Sequence, residues 1–249
     1  DALQTIDGLT EVLAVPAALS ASVTPRIAYN TIDNPFDPRD GFGAEVFLRM
    51  APPYVAPIGY ALLGAQLRGY HTFFDRLTFA GSLRTRAGAA TDPAEYCPEG
   101  GCEWAVMQSD LFLLGGERSV RGVLENQIGV LGPSYDARLR PVMVNGTNQV
   151  QLHPGRFGAV VNVEVRYTLL RQFLIGDVRP ALFYDFGVSS DDLQIKLITG
   201  RDDPVDMRYA YSVGAGLRWV TPVGPISIDA AYSPQRNTGK IHGLLGYIF

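Results

Sequence analysis

The side chains able to carry out chemistry are few and widely spaced. The three histidines, His71, His153 and His242, stand far apart, and no H-E-x-x-H, G-x-S-x-G or phosphate-loop pattern occurs. Glu164 and Asp185 could be imagined as the carboxylate pair of a glycosidase. A basic residue competes for them. The stretch LFLLGGERSVRGVLENQ, residues 111–127, breaks at Gly115-Gly116 and sets Arg118 and Arg121 around Gly122. Paired glycines followed by charge describe a shaped loop and not a continuing strand, and a guanidinium inside such a loop needs an acidic partner. With that structural job assigned to them, Glu164 and Asp185 are not expected to catalyse, and no enzymatic activity, cofactor or metal is expected. Cys97 and Cys102 lie in the short Gly-Pro segment CPEGGC and are candidates for a disulfide. With no second pair and no nearby His they are poor zinc ligands. A bridge would imply an oxidising compartment.

The elements that must position Arg121, Glu164 and Asp185 show themselves as alternation. In Val161 to Leu169 the odd positions are apolar or aromatic and the even ones polar, including Glu164. Tyr209, Tyr211, Val213, Ala215, Leu217 and Trp219 share one face of their segment, opposite Arg208, Ser212, Gly214, Gly216 and Arg218. Ile226, Ile228, Ala230 and Tyr232 oppose Ser227 and Asp229, and Leu77, Phe79 and Leu83 oppose Thr78, Ser82, Arg84 and Arg86. This two-residue period is that of a β-strand. A soluble sandwich alternates too, with its apolar face buried. Three features favour lipid instead. Every charge falls on one face, nothing reads as a long amphipathic helix able to cover the other, and the segments run about ten residues, the span of a tilted membrane strand.

Bulk properties agree. Charged residues make up only 18% of 249, with 27 Gly, 12 Tyr and 12 Phe, and the net charge of −4 with no basic run argues against nucleic acid as a partner. No apolar run is long enough for a transmembrane helix, and any signal peptide is expected to be removed or to lie upstream. About ten strands are expected, near 23–33, 42–50, 59–70, 76–86, 104–114, 159–169, 180–188, 207–220, 225–232 and 241–249. Short turns at 51–57 and 221–225 are expected at one end, and longer links such as 189–206 at the other, with the long Cys-bearing link 87–103 as an exception. The expected fold is therefore all-β, an antiparallel transmembrane β-barrel, with residues 1–249 as a single barrel domain. If the segment from Gly115 to Gly158 folds back into the polar interior, Arg121 should meet Glu164 and Asp185, for about 1–3 kcal/mol in a wet lumen.

Val120-Arg121-Gly122-Val123 after Gly115-Gly116 resembles the VRGF/Y motif of the BamA/TamA outer-membrane insertase superfamily, also called the bacterial surface antigen family. YNTIDNPFDPRDGFGAEV (29–46) is similar to that family's Asp-x-Pro…Pro-x-x-Gly hairpin, and GAGLRWVTPVGPISIDAAY (214–232) matches in order as well. The resemblance implies an extracellular loop plunging into a sixteen-stranded barrel, of which about ten strands are present here. Glu164 and Asp185 match the family positions of the acids that meet the motif's arginine, here Arg121, so that Arg121, Gly122, Glu164 and Asp185 would form a loop lock. It further implies a C-terminal assembly signal ending in Tyr247 and Phe249. A last strand weakened by Gly243 and Gly246 would form one side of a lateral seam. The motif's aromatic is Val123 here, and the family's first strand and periplasmic POTRA domains are not matched. By resemblance, the protein sits in the bacterial outer membrane, contacts its lipid, and folds and inserts unfolded outer-membrane clients, with accessory lipoproteins or POTRA-bound subunits as possible partners. The alternatives are a polypeptide-translocating or passive channel, or a barrel that anchors an upstream domain.

Overall fold

A computed structural model describes residues 21–52, 59–91, 114–133, 142–144, 147–148, 150–153, 155–190, 207–222 and 224–246. Their elements are β1 (Arg26–Asn30), β2 (Gly41–Ala51), β3 (Gly59–Phe73), β4 (Leu77–Thr91), β5 (Val130–Pro133), β6 (Met143–Val144), β7 (Thr147–Asn148), β8 (Val150–His153), β9 (Phe157–Tyr167), β10 (Leu170–Phe173), β11 (Gly176–Ser190), β12 (Met207–Thr221), β13 (Gly224–Ser233) and β14 (Thr238–Leu245). One sheet holds ten of them. Nine follow the path β1-β2-β3-β4-β9-β11-β12-β13-β14, every neighbour antiparallel, and β10 folds back onto β11. Among the described residues the path ends on β1 and β14, and the sheet they form is open.

The exposure of alternate residues decides between the two readings of the pattern. Leu63, Leu67, Phe79, Leu83, Val163, Leu182, Val213, Leu217 and Ile228 are 37–66% exposed. On the opposite face Ser82, Asn162, Glu164, Arg166, Arg179, Asp185, Ser212, Arg218 and Asp229 are at most 5% exposed. A sandwich in water would reverse this, because leaving so many large apolar side chains uncovered forfeits the main driving force of folding. Acyl chains remove that penalty. The sheet is the wall of a membrane barrel, apolar outward and ionic inward.

One expected neighbour relation does not hold. A strand over 104–114 should lie between those at 76–86 and 159–169, but β4 pairs directly with β9, from Leu77↔Tyr167 to Ala87↔Phe157. Residues 104–113 lie outside the described residues. Leu114 is fully buried and forms an isolated bridge with Ile128, so its hydrophobicity serves loop packing. An apolar run signals burial without saying against what.

The direct β4–β9 pairing reverses the end at which every later link falls. The 31–40 hairpin and the turns at 74–76, 168–175 and 222–223 share one end, while 52–58, 92–156, 191–206 and 234–237 share the other. The turn at 51–57 therefore lies opposite 221–225, contrary to expectation. The Cys-bearing link ceases to be an exception, because it opens the excursion 92–156 at the long-link end.

The 31–40 hairpin is itself tied across the sheet. Asp33 Oδ1 accepts the backbone N–H groups of Asn34 and Arg39, which shapes the turn. Arg179 of β11 donates from Nη2 to Asp37 Oδ2 at 3.0 Å, and Arg39 donates from Nη2 to Asp177 Oδ2 at 3.2 Å. These contacts pass over β3, β4 and β9.

Candidate functional site

Between β4 and β9 the chain leaves the sheet and returns. β5 pairs with β8 and β6 with β7 to make an extension, and Leu114 and Ile128 exchange both backbone hydrogen bonds, 3.0 and 2.8 Å, to close the base of a loop. Gly115 and Gly116, with φ of +116° and +91°, make the sharp entry. Ser119 Oγ then accepts the Gly115 N–H at 2.7 Å. Leu114, Val120, Val123 and Ile128 pack with Val160 of β9 and Ala210 of β12. The loop thus carries its own small apolar core onto the polar face. Val123, where the resemblance leads one to expect an aromatic, is 1% exposed within that core.

Arg121 stands at the centre and is completely buried. Its Nε and Nη2 donate to Asp185 Oδ2 and Oδ1 at 2.7 and 2.9 Å, a bidentate pair, and its backbone N–H donates to Oδ2 at 3.1 Å. Nη1 reaches Glu164 Oε2 at 3.2 Å and Asp229 Oδ2 at 3.0 Å. The guanidinium carbon lies 3.3 Å from the centroid of Phe183, so an aromatic face from β11 supplies a cation–π surface.

Register explains why these groups converge. Glu164 is directly opposite Phe183, and Asp185 is opposite both Asn162 and Ser212. Gly216 is opposite Asp229. A Cβ at Gly214 would collide with the Phe183 ring, and one at Gly216 with Asp229 and Arg218. The glycines of β12 therefore leave the room in which Phe183 and the Arg218–Asp229 pair lie across that strand.

The charges balance. Arg218 donates to Glu164 at 2.9 Å and also pairs with Asp229, while Arg166 donates to Glu164 Oε1 at 2.7 Å. Three carboxylates thus meet three guanidiniums, all at most 4% exposed by side chain. Buried charge is tolerable only with such pairing, and the bidentate, multiply bonded geometry offsets the desolvation cost. Each carboxylate is held by at least one guanidinium, which suits it to anchoring.

Arg121, Gly122, Glu164 and Asp185 are brought together. Gly122, at φ +83°, sits where a Cβ would press on the Ala231 backbone of β13. Gly243 is in β14 opposite Ile228, and Gly246, just past its end, donates to Pro225 O at 2.7 Å. Neither approaches the Arg121 cluster. Tyr247 and Phe249 lie outside the described residues, as do Cys97 and Cys102. His71 is exposed on the outward face beside Asp40, 2.8 Å away. Asp229, Arg166, Arg218 and Asn162 were not singled out by motif. Their inward alternation, shared with Glu164 and Asp185, was the available signal. Among the described residues no group of His, Cys, Asp and Glu is arranged to hold a metal ion.

A wall with lipid outside, ions inside and a loop bonded to its inner face defines a membrane β-barrel that carries its own internal loop. The chain belongs to the Omp85 superfamily, whose domain model matches residues 13–246. It is similar in fold to the crystal structure of BamA from Haemophilus ducreyi lacking POTRA domains 1–3, with a TM-score of 0.63 and 16% identity. That match covers 89% of this chain and 42% of the BamA chain, so this chain spans less than half the length of that structure. A comparison with curated proteins gave no match.

Proposed function

We propose that this chain forms part of the barrel wall of an outer-membrane assembly factor, which folds and inserts other β-barrel proteins through a lateral seam. The observation that carries the reading is the Arg121 hub, which bonds one internal loop to β9, β11 and β13 at once. Membership of the Omp85 superfamily and the BamA-like fold support it. In this reading residues 1–249 are one barrel domain, Arg121, Gly122, Glu164 and Asp185 lock the loop, and β14 forms one side of the seam. Its outer edge has no sheet partner among the described residues, and unpaired N–H and C=O groups are what an incoming strand needs. Gly243 removes side-chain packing from that edge. The implied partners are lipid, unfolded client barrels and POTRA-bound or lipoprotein subunits.

Depleting the full-length protein should lower the amounts of other barrels in the outer membrane. Unchanged amounts would overturn the reading. A wide passive channel fits less well, because the loop occupies the polar face it would need open. A large, steady single-channel conductance in the intact protein would favour the channel.

A further inference from the structure

The loop is bonded to more than the acids. Both backbone groups of Gly122 are taken by a single strand. Its N–H donates to His242 Nε2 at 3.2 Å, and its carbonyl accepts from Thr238 Oγ1 at 2.7 Å. Two residues before Thr238, in the β13–β14 turn, Arg236 donates to Gln127 O at 3.4 Å on the far limb of the loop. All three contacts come from β14 and the turn that leads into it. Gly122 is buried, so an N–H or carbonyl left without these partners would be costly. β14, in turn, has only β13 beside it in the sheet among the described residues. Its side chains are half-buried or exposed throughout, so packing does little to hold it.

We infer that His242 and Thr238 are positioning residues that clasp the internal loop to the edge strand, so that the Arg121 hub sets how firmly β14 stays on the sheet. The coupling is mechanical and local. Arg121 fixes Gly122 from one side through Asp185, Glu164 and Asp229, and the adjacent peptide groups reach β14 from the other. Releasing the guanidinium lets Gly122 move, and β14 loses two hydrogen bonds that no lipid can replace. The role of β14 as a moving edge rests on the assembly reading, while the clasp itself does not.

Hydrogen exchange of the β14 amides in purified full-length protein in lipid nanodiscs tests it. His242→Leu should speed exchange across β14 by about tenfold while leaving β2–β4 unchanged. His242→Gln, whose side-chain oxygen still accepts, should restore slow exchange. Arg121→Ala should reproduce the His242→Leu pattern, and the double variant should exchange no faster than either alone, because both break one linkage. Additive effects, or no change in β14 with Arg121→Ala, would overturn the clasp. Should Arg121→Ala fail to fold, Thr238→Val against Thr238→Ser makes the same comparison from the strand side. Faster β14 exchange with normal client assembly would keep the clasp and remove the assembly reading.

Discussion

Taking away the guanidinium of Arg121 would strand Asp185 beside two other buried carboxylates. Asp185 would lose its bidentate partner, while Glu164 and Asp229 would keep Arg218. Breaking a buried pair from one side costs about 3–5 kcal/mol. Arg118, three residues away, has a side chain 79% exposed and only a 4.0 Å approach to Glu117. Its useful contribution is its backbone carbonyl, which accepts from Arg84 and survives truncation. Arg121→Ala should therefore lower the temperature at which the folded, fast-migrating band disappears on gels, and Arg118→Ala should leave it nearly unchanged. Equal shifts would mean that the wrong arginine holds the loop. At this scale the sequence was legible where chemistry is scarce. One arginine among glycines pointed to Glu164 and Asp185, which both meet it. Asp229 and His242 carried no comparable mark, because their distance from Arg121 depends on a register that only the assembled sheet reveals.

Among the elements, the 31–40 hairpin joins two distant parts of the wall through ion pairs at its tip. Burial alone would push the Asp37 carboxyl up. The hydrogen bonds and charge of Arg179, with the charge of Arg39, outweigh this and hold it below the usual carboxylate range. A group depressed on folding stabilises fully above its unfolded value, and that contribution is lost as pH falls through the lower, folded one. Among the groups facing Asp37 are Arg39 on its own hairpin and Arg179 beside Asp177 on β11. The hairpin should thus stay protected from protease through ordinary mildly acidic pH and become susceptible only below the normal carboxylate range. Asp37→Asn should be susceptible at every pH. A wild-type transition at or above the usual carboxylate value would contradict this ion pairing. Elements with clean alternation, such as β9 and β12, were readable because one face meets lipid and the other charge. The expected place of a 104–114 strand between β4 and β9 does not hold, because those two pair directly, and Leu114 alone of that range is among the described residues. Leu114 is apolar because a loop carries its own small core, and a short apolar run looks the same in either setting.

For the molecule as a whole, the uncovered face commits the sheet to a bilayer. An arginine placed on that face near mid-height should cost about 2–4 kcal/mol, falling towards zero at the interfaces. Ile228→Arg and Leu63→Arg should each reduce the fraction that folds into lipid vesicles, read as heat-modifiable mobility on gels. Phe74→Arg, in a turn where Phe74 is 92% exposed, should not. If all three were tolerated alike, that face would not contact lipid.

The nine-membered path has a further geometrical consequence. Since each neighbour reverses heading, the first and ninth members travel the same way. Joining β1 to β14 directly would make a co-directional seam, and a second copy inserted upright would meet the first with that same mismatch at both junctions. A ring that reverses at every step must seat an odd number of extra strands between these two rims.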